Sequence, residues 1–225
     1  MTTPPIPAFE ARRPVSDLDY VYGALKQSCM NGEFTPGQKV TLPQLAEAFG
    51  TSQMPIREAT NRLIAAKAME APPRRSLRIP EATLERLDEL LPLRLLLEGE
   101  ATRLAAAQGA ALADALTKIN EEMPCYAAGE DLKAYLNANQ RFHFTLYAAA
   151  GNADLLDMIE LLWMRYGPLM STVRSGVLSR TGANHHQAVI DAIRVGDAEA
   201  AKEAISLDLK DAAVHIRSAL GAANG

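Results

Sequence analysis

The sequence contains little of what stabilises secreted domains or crosses membranes. Its two cysteines, Cys29 and Cys125, are far apart in 225 residues and fit no disulfide framework, metal-binding spacing or redox motif. No apolar run approaches the roughly 18 residues of a membrane span. Residues 1–14 lack the apolar core of a signal peptide, and their four prolines predict a disordered arm. These absences predict a cytoplasmic protein with two reduced thiols and no membrane partner.

Catalytic motifs are also missing. The sequence has no Ser-His-Asp order, no paired catalytic carboxylates, no glycine-rich phosphate loop and no cysteine-rich zinc spacing. Aromatic residues make up only 5%, whereas hydrophobic residues make up 48% and include many Ala and Leu. The composition therefore predicts a mainly helical protein with an ample core, and the motifs give no reason to expect an enzyme.

The charges are divided unevenly along the chain. The net charge is −4, which alone does not indicate a nucleic-acid partner. Residues 1–80, however, hold 10 Lys and Arg against 7 Asp and Glu, a balance of +3, and the remainder holds 13 against 20, a balance of −7. A mildly basic N-terminal part followed by an acidic C-terminal part is typical of a DNA-binding domain joined to a regulatory domain.

The N-terminal part of the sequence predicts a helix-turn-helix. A first helix is expected from Asp17 to Asn31. Thr41 caps a second helix with Gln44 in the capping-box position, and Gly50 ends it. A third helix begins directly afterwards, and two short helices joined by so tight a turn form this motif.

The third helix has an apolar stripe and a polar face. Ser52 is a suitable N-cap, since its hydroxyl can accept a backbone hydrogen bond, and Pro55 falls in the first turn. The stripe comprises Ile56, Ala59, Leu63 and Ile64, whereas Gln53, Arg57, Asn61 and Arg62 lie off it. Amide and guanidinium groups on an anchored helix can contact base edges in a major groove. Many amphipathic helices carry Arg on their solvated face without this role, so the stretch alone leaves both alternatives open.

A short basic hairpin follows the third helix. Pro72 to Pro80 contains turn residues with short flanks, and Lys39-Val40 predicts a short strand near it. Arg74 and Arg75 at the tip can enter a minor groove or meet phosphates. Directly after a helix-turn-helix, such a hairpin is interpreted as a wing.

Residues 16–80 resemble the winged helix-turn-helix of the GntR transcription-factor family. The resemblance rests mainly on Ser52-Gln53-Met54-Pro55-Ile56-Arg57-Glu58-Ala59, which is similar to the family's Ser-Arg-Thr-Pro-Val-Arg-Glu-Ala motif. It implies a DNA-binding domain over residues 15–80 with the contact residues Ser52, Gln53, Met54, Arg57, Arg74 and Arg75. Gln53 and Met54 stand where Arg and Thr are usual, so the operator sequence does not follow from the resemblance.

The remainder of the chain predicts an antiparallel helical bundle. Helices are expected at about 83–108, 111–128, 130–150, 153–174, 183–195 and 197–219, with Gly176 among the separating glycines. Pro92 predicts a break or a kink in the first of them. Bundles place ligand and metal sites between facing helices.

Polar residues on three of these helices form a candidate metal site. Asn139 and His143 are four residues apart and share one helix face, His186 lies on the next-to-last helix, and Asp208 lies on the last. Imidazole nitrogen combined with carboxylate oxygen suits Zn²⁺, Ni²⁺ or Mn²⁺. A lone helical His is more often a surface or hydrogen-bonded residue, so spacing alone leaves that alternative open.

Residues 84–218 resemble the all-helical FCD ligand-binding domain of the FadR subfamily of GntR regulators. The similar segments begin at Arg94, Asn139 and His186. Metal-binding members of the family use one Asp and three His, and the corresponding residues here are Asn139, His143, His186 and Asp208. The two exchanged ligands imply either a retained divalent metal with a preference for harder ions or a polar pocket that has lost its metal.

The same resemblance implies a small organic acid as the effector. Arg94 is the first candidate partner for its carboxylate, since a guanidinium can bind a carboxylate through two hydrogen bonds. Arg141 is the second candidate. The metal would then act as an electrostatic anchor for the acid rather than as a catalyst.

These features together predict a ligand-responsive DNA-binding transcription regulator, and by the habit of the family a repressor. A homodimer would place two winged helices on a palindromic operator, with residues 81–220 binding the effector and joining the two copies. Two alternatives stay open from the sequence. One is a metal-dependent enzyme built on the helical bundle, and the other is a constitutive DNA-binding protein whose back domain only dimerises.

Overall fold

The computed structural model describes residues 16–72, 76–128, 131–173 and 175–222, apart from the side chains of residues 126–128, 132 and 175–183. Within these ranges the chain is mainly helical and contains one two-stranded antiparallel sheet. The predicted fold class is confirmed. The arm predicted over residues 1–14 lies outside the described residues, as do Arg74 and Arg75 at the tip of the wing.

A winged helix-turn-helix forms the front of the molecule. Its elements are α1 (Asp17–Met30), β1 (Lys39–Val40), α2 (Leu42–Phe49), α3 (Gln53–Ala65) and β2 (Leu77–Arg78). The two strands pair with Lys39 opposite Arg78 and Val40 opposite Leu77. Glu70, in the segment that follows α3, forms an antiparallel backbone bridge with Arg78. Strand β2 therefore lies between β1 and this segment.

Local sequence explains the turn between α2 and α3. Thr41 and Gln44 form the reciprocal capping box that starts α2. Gly50 ends this helix with φ of 61°, a conformation that glycine adopts without strain. Ser52 occupies the N-cap position of α3 as predicted, but its hydroxyl makes no capping hydrogen bond within the described residues. The exposed start of α3 leaves its free N–H groups to solvent or to an anionic ligand.

The rest of the described chain forms the helical bundle. Its helices are α4 (Leu84–Ala105), α5 (Gly109–Asn120), α6 (Met123–Ala128), α7 (Leu132–Ala148), α8 (Ala153–Met170), α9 (Ser175–Val195) and α10 (Ala198–Ala222), and a 3₁₀ turn, Ala106–Gln108, follows α4. No helix in the described ranges combines the length and the hydropathy needed to cross a membrane.

Three helix boundaries differ from the predicted ones. Pro92 does not break α4, because it is exposed and solvent can bond the carbonyl that it leaves unpaired. The helix predicted over 111–128 is two helices, since Pro124 has no N–H to donate to the carbonyl of Asn120. Gly176 lies in the first turn of α9 rather than between helices. A glycine near a helix end destabilises the helix less than one in its interior.

Helix α1 joins the winged helix to the bundle, because it packs against both α3 and α8. The contact with α8 is closest at Gly167, where a Cβ atom would stand 1.7 Å from the backbone oxygen of Cys29. An ion pair of 2.7 Å between Lys26 and Glu160 connects the same two helices. The position of α1 therefore depends on what happens inside the bundle as well as on the DNA-binding side.

Replacing Gly167 by Ala is expected to destabilise the protein by about 2 kcal/mol, because the new methyl group must push the two helix backbones apart. Gly23→Ala on α1 is the matched control, since its Cβ would meet nothing within 4 Å and helix propensity favours Ala. Urea unfolding of both variants measures the difference. An equal or higher midpoint for Gly167→Ala would contradict the close approach.

Candidate functional site

The start of α3 presents the predicted DNA-contacting side chains to solvent. Ser52, Gln53, Met54 and Arg57 are all exposed, and Met54 shows 66% of its surface although it is apolar. Arg57 also lines a surface groove of about 330 Å³ between α3 and the wing. The apolar stripe is buried as predicted at Ile56, Ala59 and Leu63, whereas Ile64 is only partly buried. The opposite face of this helix is thus free for a partner.

A polar cluster lies buried in the bundle, where α7, α9 and α10 meet. His143, His186 and Asp208 each offer a ligand atom, and these atoms lie within 4.8 Å of one another. The Nε2 atom of His143 is 3.5 Å from Oδ2 of Asp208, and Nε2 of His186 is 3.8 Å from Oδ1 of the same carboxylate. The structure therefore brings together three residues that are far apart in the sequence.

Hydrogen bonds on the outer sides of both imidazoles determine which nitrogen faces the cluster. The hydroxyl of Tyr147 donates to Glu98 at 2.5 Å, so it accepts from Nδ1–H of His143 at 2.9 Å. The Oδ1 atom of Asn120 accepts from Nδ1–H of His186 at 3.2 Å. Each ring therefore directs the lone pair of its Nε2 atom toward Asp208, as metal-binding histidines do when the other nitrogen is held by an outer partner.

Burial alters the proton affinities of the cluster. It lowers the pKa of His143 well below the usual value, with further contributions from His186 and Arg94, and it lowers the pKa of His186 to about 3. It raises the pKa of the Asp208 carboxyl to about 7, although the nearby Arg94 opposes that rise. Both imidazoles are thus neutral at pH 7, and Asp208 is the group whose charge a bound cation would stabilise.

The donor set fits a divalent metal ion. The Nε2 atom of His186 is fully buried and has no hydrogen-bond partner among the residues that the structure describes, which is costly for a polar atom unless a ligand satisfies it. Two ligand atoms bound to the same tetrahedral ion, each at roughly 2.1 Å from it, lie about 3.4 Å apart. This separation is close to the distances between the two Nε2 atoms and the oxygens of Asp208. Two imidazole nitrogens with one carboxylate oxygen suit Zn²⁺, Ni²⁺ or Mn²⁺.

A small cavity adjoins this cluster. It has a volume of about 30 Å³, which is room for about two water molecules. Asn139, His143, Asp208 and Arg94 line it, so the structure brings Asn139 and Arg94 to the same place as the histidines. Arg141 does not line the cavity; it is exposed and forms an ion pair with Glu122. The structure does not bring Arg141 into the cluster.

The guanidinium of Arg94 is held rigidly although it is buried. It donates two hydrogen bonds to Glu98, at 2.5 and 3.1 Å. Its Cζ atom lies over the rings of Tyr166, at 4.0 Å, and Trp163, at 5.0 Å. Burial is the largest single influence on its pKa and lowers it, but the charge and hydrogen bond of Glu98 together with the nearby Tyr166 and Tyr147 outweigh burial and raise the pKa above the usual value. Arg94 is therefore a fixed guanidinium at the cavity wall, paired with the carboxylate of Glu98.

Several of these supporting residues were not predicted from the sequence. Glu98 and Tyr147 each follow a predicted site residue by four positions, so spacing on one helix face could have identified both. Asn120, Trp163 and Tyr166 have no such signal, because they come from helices whose packing the sequence does not reveal. The indole Nε1 of Trp163 is buried without a hydrogen-bond partner within the described residues.

Comparison with known proteins places this geometry in a family. The sequence profile described as bacterial regulatory proteins, gntR family, matches residues 19–79, and the profile of the FCD domain matches residues 89–211. The chain belongs to the gntR family of bacterial regulatory proteins. It is a DNA-binding transcription regulator with an FCD domain, which confirms the resemblance drawn from its motifs. Its relatives are transcription regulators, which confirms the prediction that it is not an enzyme.

Individual relatives of the regulator match most of its length. The probable D-xylose utilization operon transcriptional repressor of Paenarthrobacter nicotinovorans is 31% identical over 78% of this chain and 77% of its own length. The HTH-type transcriptional regulator McbR of Escherichia coli is 29% identical over 81% of this chain and 84% of its own. The solved structure of Escherichia coli McbR/YncC covers 91% of this chain and 98% of that chain, with a TM-score of 0.85 at 25% identity.

Proposed function

We propose that this regulator detects a small carboxylate through a divalent metal ion in its helical bundle, and that the bound acid changes its affinity for a palindromic operator. The observation that supports the proposal most strongly is the buried Nε2 atom of His186, which finds no hydrogen-bond partner in the described part of the chain and lies 3.8 Å from a carboxylate oxygen of Asp208. His143, His186 and Asp208 would hold the ion, and Asn139 would contribute its side-chain oxygen. When bound, the ion supplies positive charge and an open coordination position for an acid oxygen.

The cavity limits the class of effector. Arg94 provides a fixed guanidinium beside the proposed ion, and the N–H groups that it does not use on Glu98 would act with the ion to favour an anion with two oxygen atoms. The unpartnered indole N–H of Trp163 favours an additional oxygen acceptor on the same molecule. A cavity volume of about 30 Å³ favours a small acid over a large one. We therefore propose a short carboxylic acid that also carries a hydroxyl or oxo group.

The DNA-binding side of the proposal uses α3 and the wing. Ser52, Gln53, Met54 and Arg57 would contact the major groove, and Arg74 and Arg75 would contact the minor groove or phosphates. A homodimer formed through residues 81–220 would place two copies of residues 15–80 on two half-sites, which accounts for a palindrome. The protein would act in the cytoplasm, where the DNA is. Two relatives are named as repressors, and repression is proposed for this chain on that ground.

Thermal unfolding tests the effector class. Zn²⁺, Ni²⁺ or Mn²⁺ added to chelator-treated protein should raise the midpoint, and a further rise should follow with glycolate, lactate or pyruvate. A ligand at about 100 times its Kd stabilises by about 2.7 kcal/mol, which corresponds to roughly 5–10 °C for a chain of this size. The amides of the same acids are the control, since they keep the size but remove the charge.

The outcomes separate the proposal from its alternatives. Metal-dependent shifts by the acids but not by the amides support a carboxylate effector. A midpoint of thermal unfolding that rises with metal but not with the acids would indicate an ion with only a structural role. Absence of both, together with operator affinity that no acid changes, would indicate the constitutive DNA-binding protein and would overturn the proposal.

A further inference from the structure

One wall of the cavity comes from the DNA-binding side of the molecule. Met30, near the end of α1, lines the cavity together with Arg94, His143 and Asp208. It is 4% exposed, and its Sδ atom accepts a hydrogen bond from Nε2 of Gln140 at 3.6 Å. An α1 side chain is thus a direct neighbour of the proposed effector.

Most of the remaining wall has little freedom to move. Arg94 is fixed by Glu98 and by two aromatic rings, and His143 is fixed by Tyr147. The two methionines of the wall, Met30 and Met170, are unbranched side chains that adapt to a changed volume. An occupant that outgrows the cavity would therefore displace one of these two side chains most readily.

The two methionines differ in what they are attached to. Met170 is the last residue of α8, within the bundle itself. Met30 is on α1, which also packs against the recognition helix α3, and Arg62 of α3 lies over the ring of Tyr22 on α1 with its Cζ at 5.4 Å. Because the Cys29 backbone is in close contact with Gly167, α1 cannot absorb a push at Met30 by small local adjustment.

We propose that Met30 is the residue through which the DNA-binding domain senses occupancy of the cavity. An occupant that displaces Met30 moves α1, and α1 moves α3 relative to the second copy on the operator. The inference rests on the proposed function, because occupancy regulates the protein only if the cavity takes an effector. It adds a specific route, through the side chain of Met30, by which the effector changes operator affinity.

A volume test needs no effector. Ala212 also lines the cavity and is partly buried, so Ala212→Leu places three additional carbon atoms where an effector would lie. This variant should change the affinity for an operator duplex, selected by the wild-type protein from a random pool, by about 10-fold. Adding Met30→Ala to Ala212→Leu should return the affinity to within about 2-fold of wild type, since it removes the displaced wall.

The matched control is Ala212→Leu with Met170→Leu, which changes the other methionine without returning volume to the cavity and should leave the affinity altered. Equal rescue by both methionine variants, or unchanged affinity of Ala212→Leu, would overturn the role of Met30. If Ala212→Leu does not fold, Ala212→Val carries the same comparison with a smaller displacement. Metal content and acid-induced thermal shifts of the wild-type protein test the proposed function separately, so failure of the two can be distinguished.

Discussion

Replacing both His143 and His186 by Ala is expected to remove the bound metal ion completely. Wild-type protein purified without chelator should contain about one divalent ion per chain, and the double variant should contain only the background amount. Two of the three buried ligand atoms that face one another are lost, and a single carboxylate with an amide oxygen does not hold a transition metal tightly. Elemental analysis of the purified proteins measures the difference directly.

The neighbouring residue His185 provides a matched control. It lies on the same helix, is partly exposed, and forms its contact with Asp211 rather than with the cluster. His185→Ala should therefore keep the full metal content. A double variant that retains metal, or a wild-type protein that cannot be loaded with Zn²⁺, Ni²⁺ or Mn²⁺, would contradict the site.

Two buried Ala substitutions also leave a void, so the stability of the double variant alone is not informative. Asp208→Asn avoids that problem because it keeps the shape of the side chain and removes only its charge. It should fold as the wild type does and lower metal affinity by about 100-fold, in the range seen when a charged metal ligand or its outer partner is lost. Metal titration in the presence of a competing chelator measures this change.

The sequence predicts the elements of this fold better than their junctions. Capping residues and hydrophobic spacing locate α2 and α3 correctly, because those signals act within a few residues of one another. The division between α5 and α6 depends on a single proline, and the start of α9 depends on packing that no local pattern records. The boundary predicted between residues 80 and 81 falls between β2 and α4 and stays a prediction.

The residues of the candidate site show the same difference between signals that are local in the sequence and signals that depend on packing. Asn139, His143, His186 and Asp208 were selected by spacing and resemblance, and all four line or form one buried cluster. Arg141, chosen by residue type, lies outside it because its helix turns that position toward solvent. Met30 could not have been selected, since its role depends on how α1 of one region packs against helices of another.

Replacing Arg57 by Ala is expected to abolish sequence-specific DNA binding while the protein stays folded. Arg57 is exposed on α3, so its removal creates no void and breaks no buried contact. A guanidinium that contacts a guanine contributes about 1–3 kcal/mol of discrimination against the wrong base. A dimer loses two such contacts, which corresponds to a reduction in operator affinity of roughly 30-fold to 10⁴-fold.

The measurement must separate lost specificity from lost charge. Operator binding should be compared with binding to a scrambled duplex at several salt concentrations, because phosphate contacts weaken on both duplexes alike. Arg103→Ala is the control for charge: it removes one partly exposed guanidinium from α4, where Arg103 pairs with Glu100, and should leave operator affinity unchanged.

The pattern of the loss identifies what Arg57 contacts. If it contacts a base, the variant binds both duplexes equally and keeps most of its affinity for the scrambled one. If it contacts only a phosphate, both affinities fall together and the preference for the operator survives. An Arg57→Ala variant that protects the operator as the wild-type protein does would remove this residue from the DNA-binding surface and would leave Gln53 and Met54, the exposed residues at the start of α3, as the remaining candidates on that helix for base recognition.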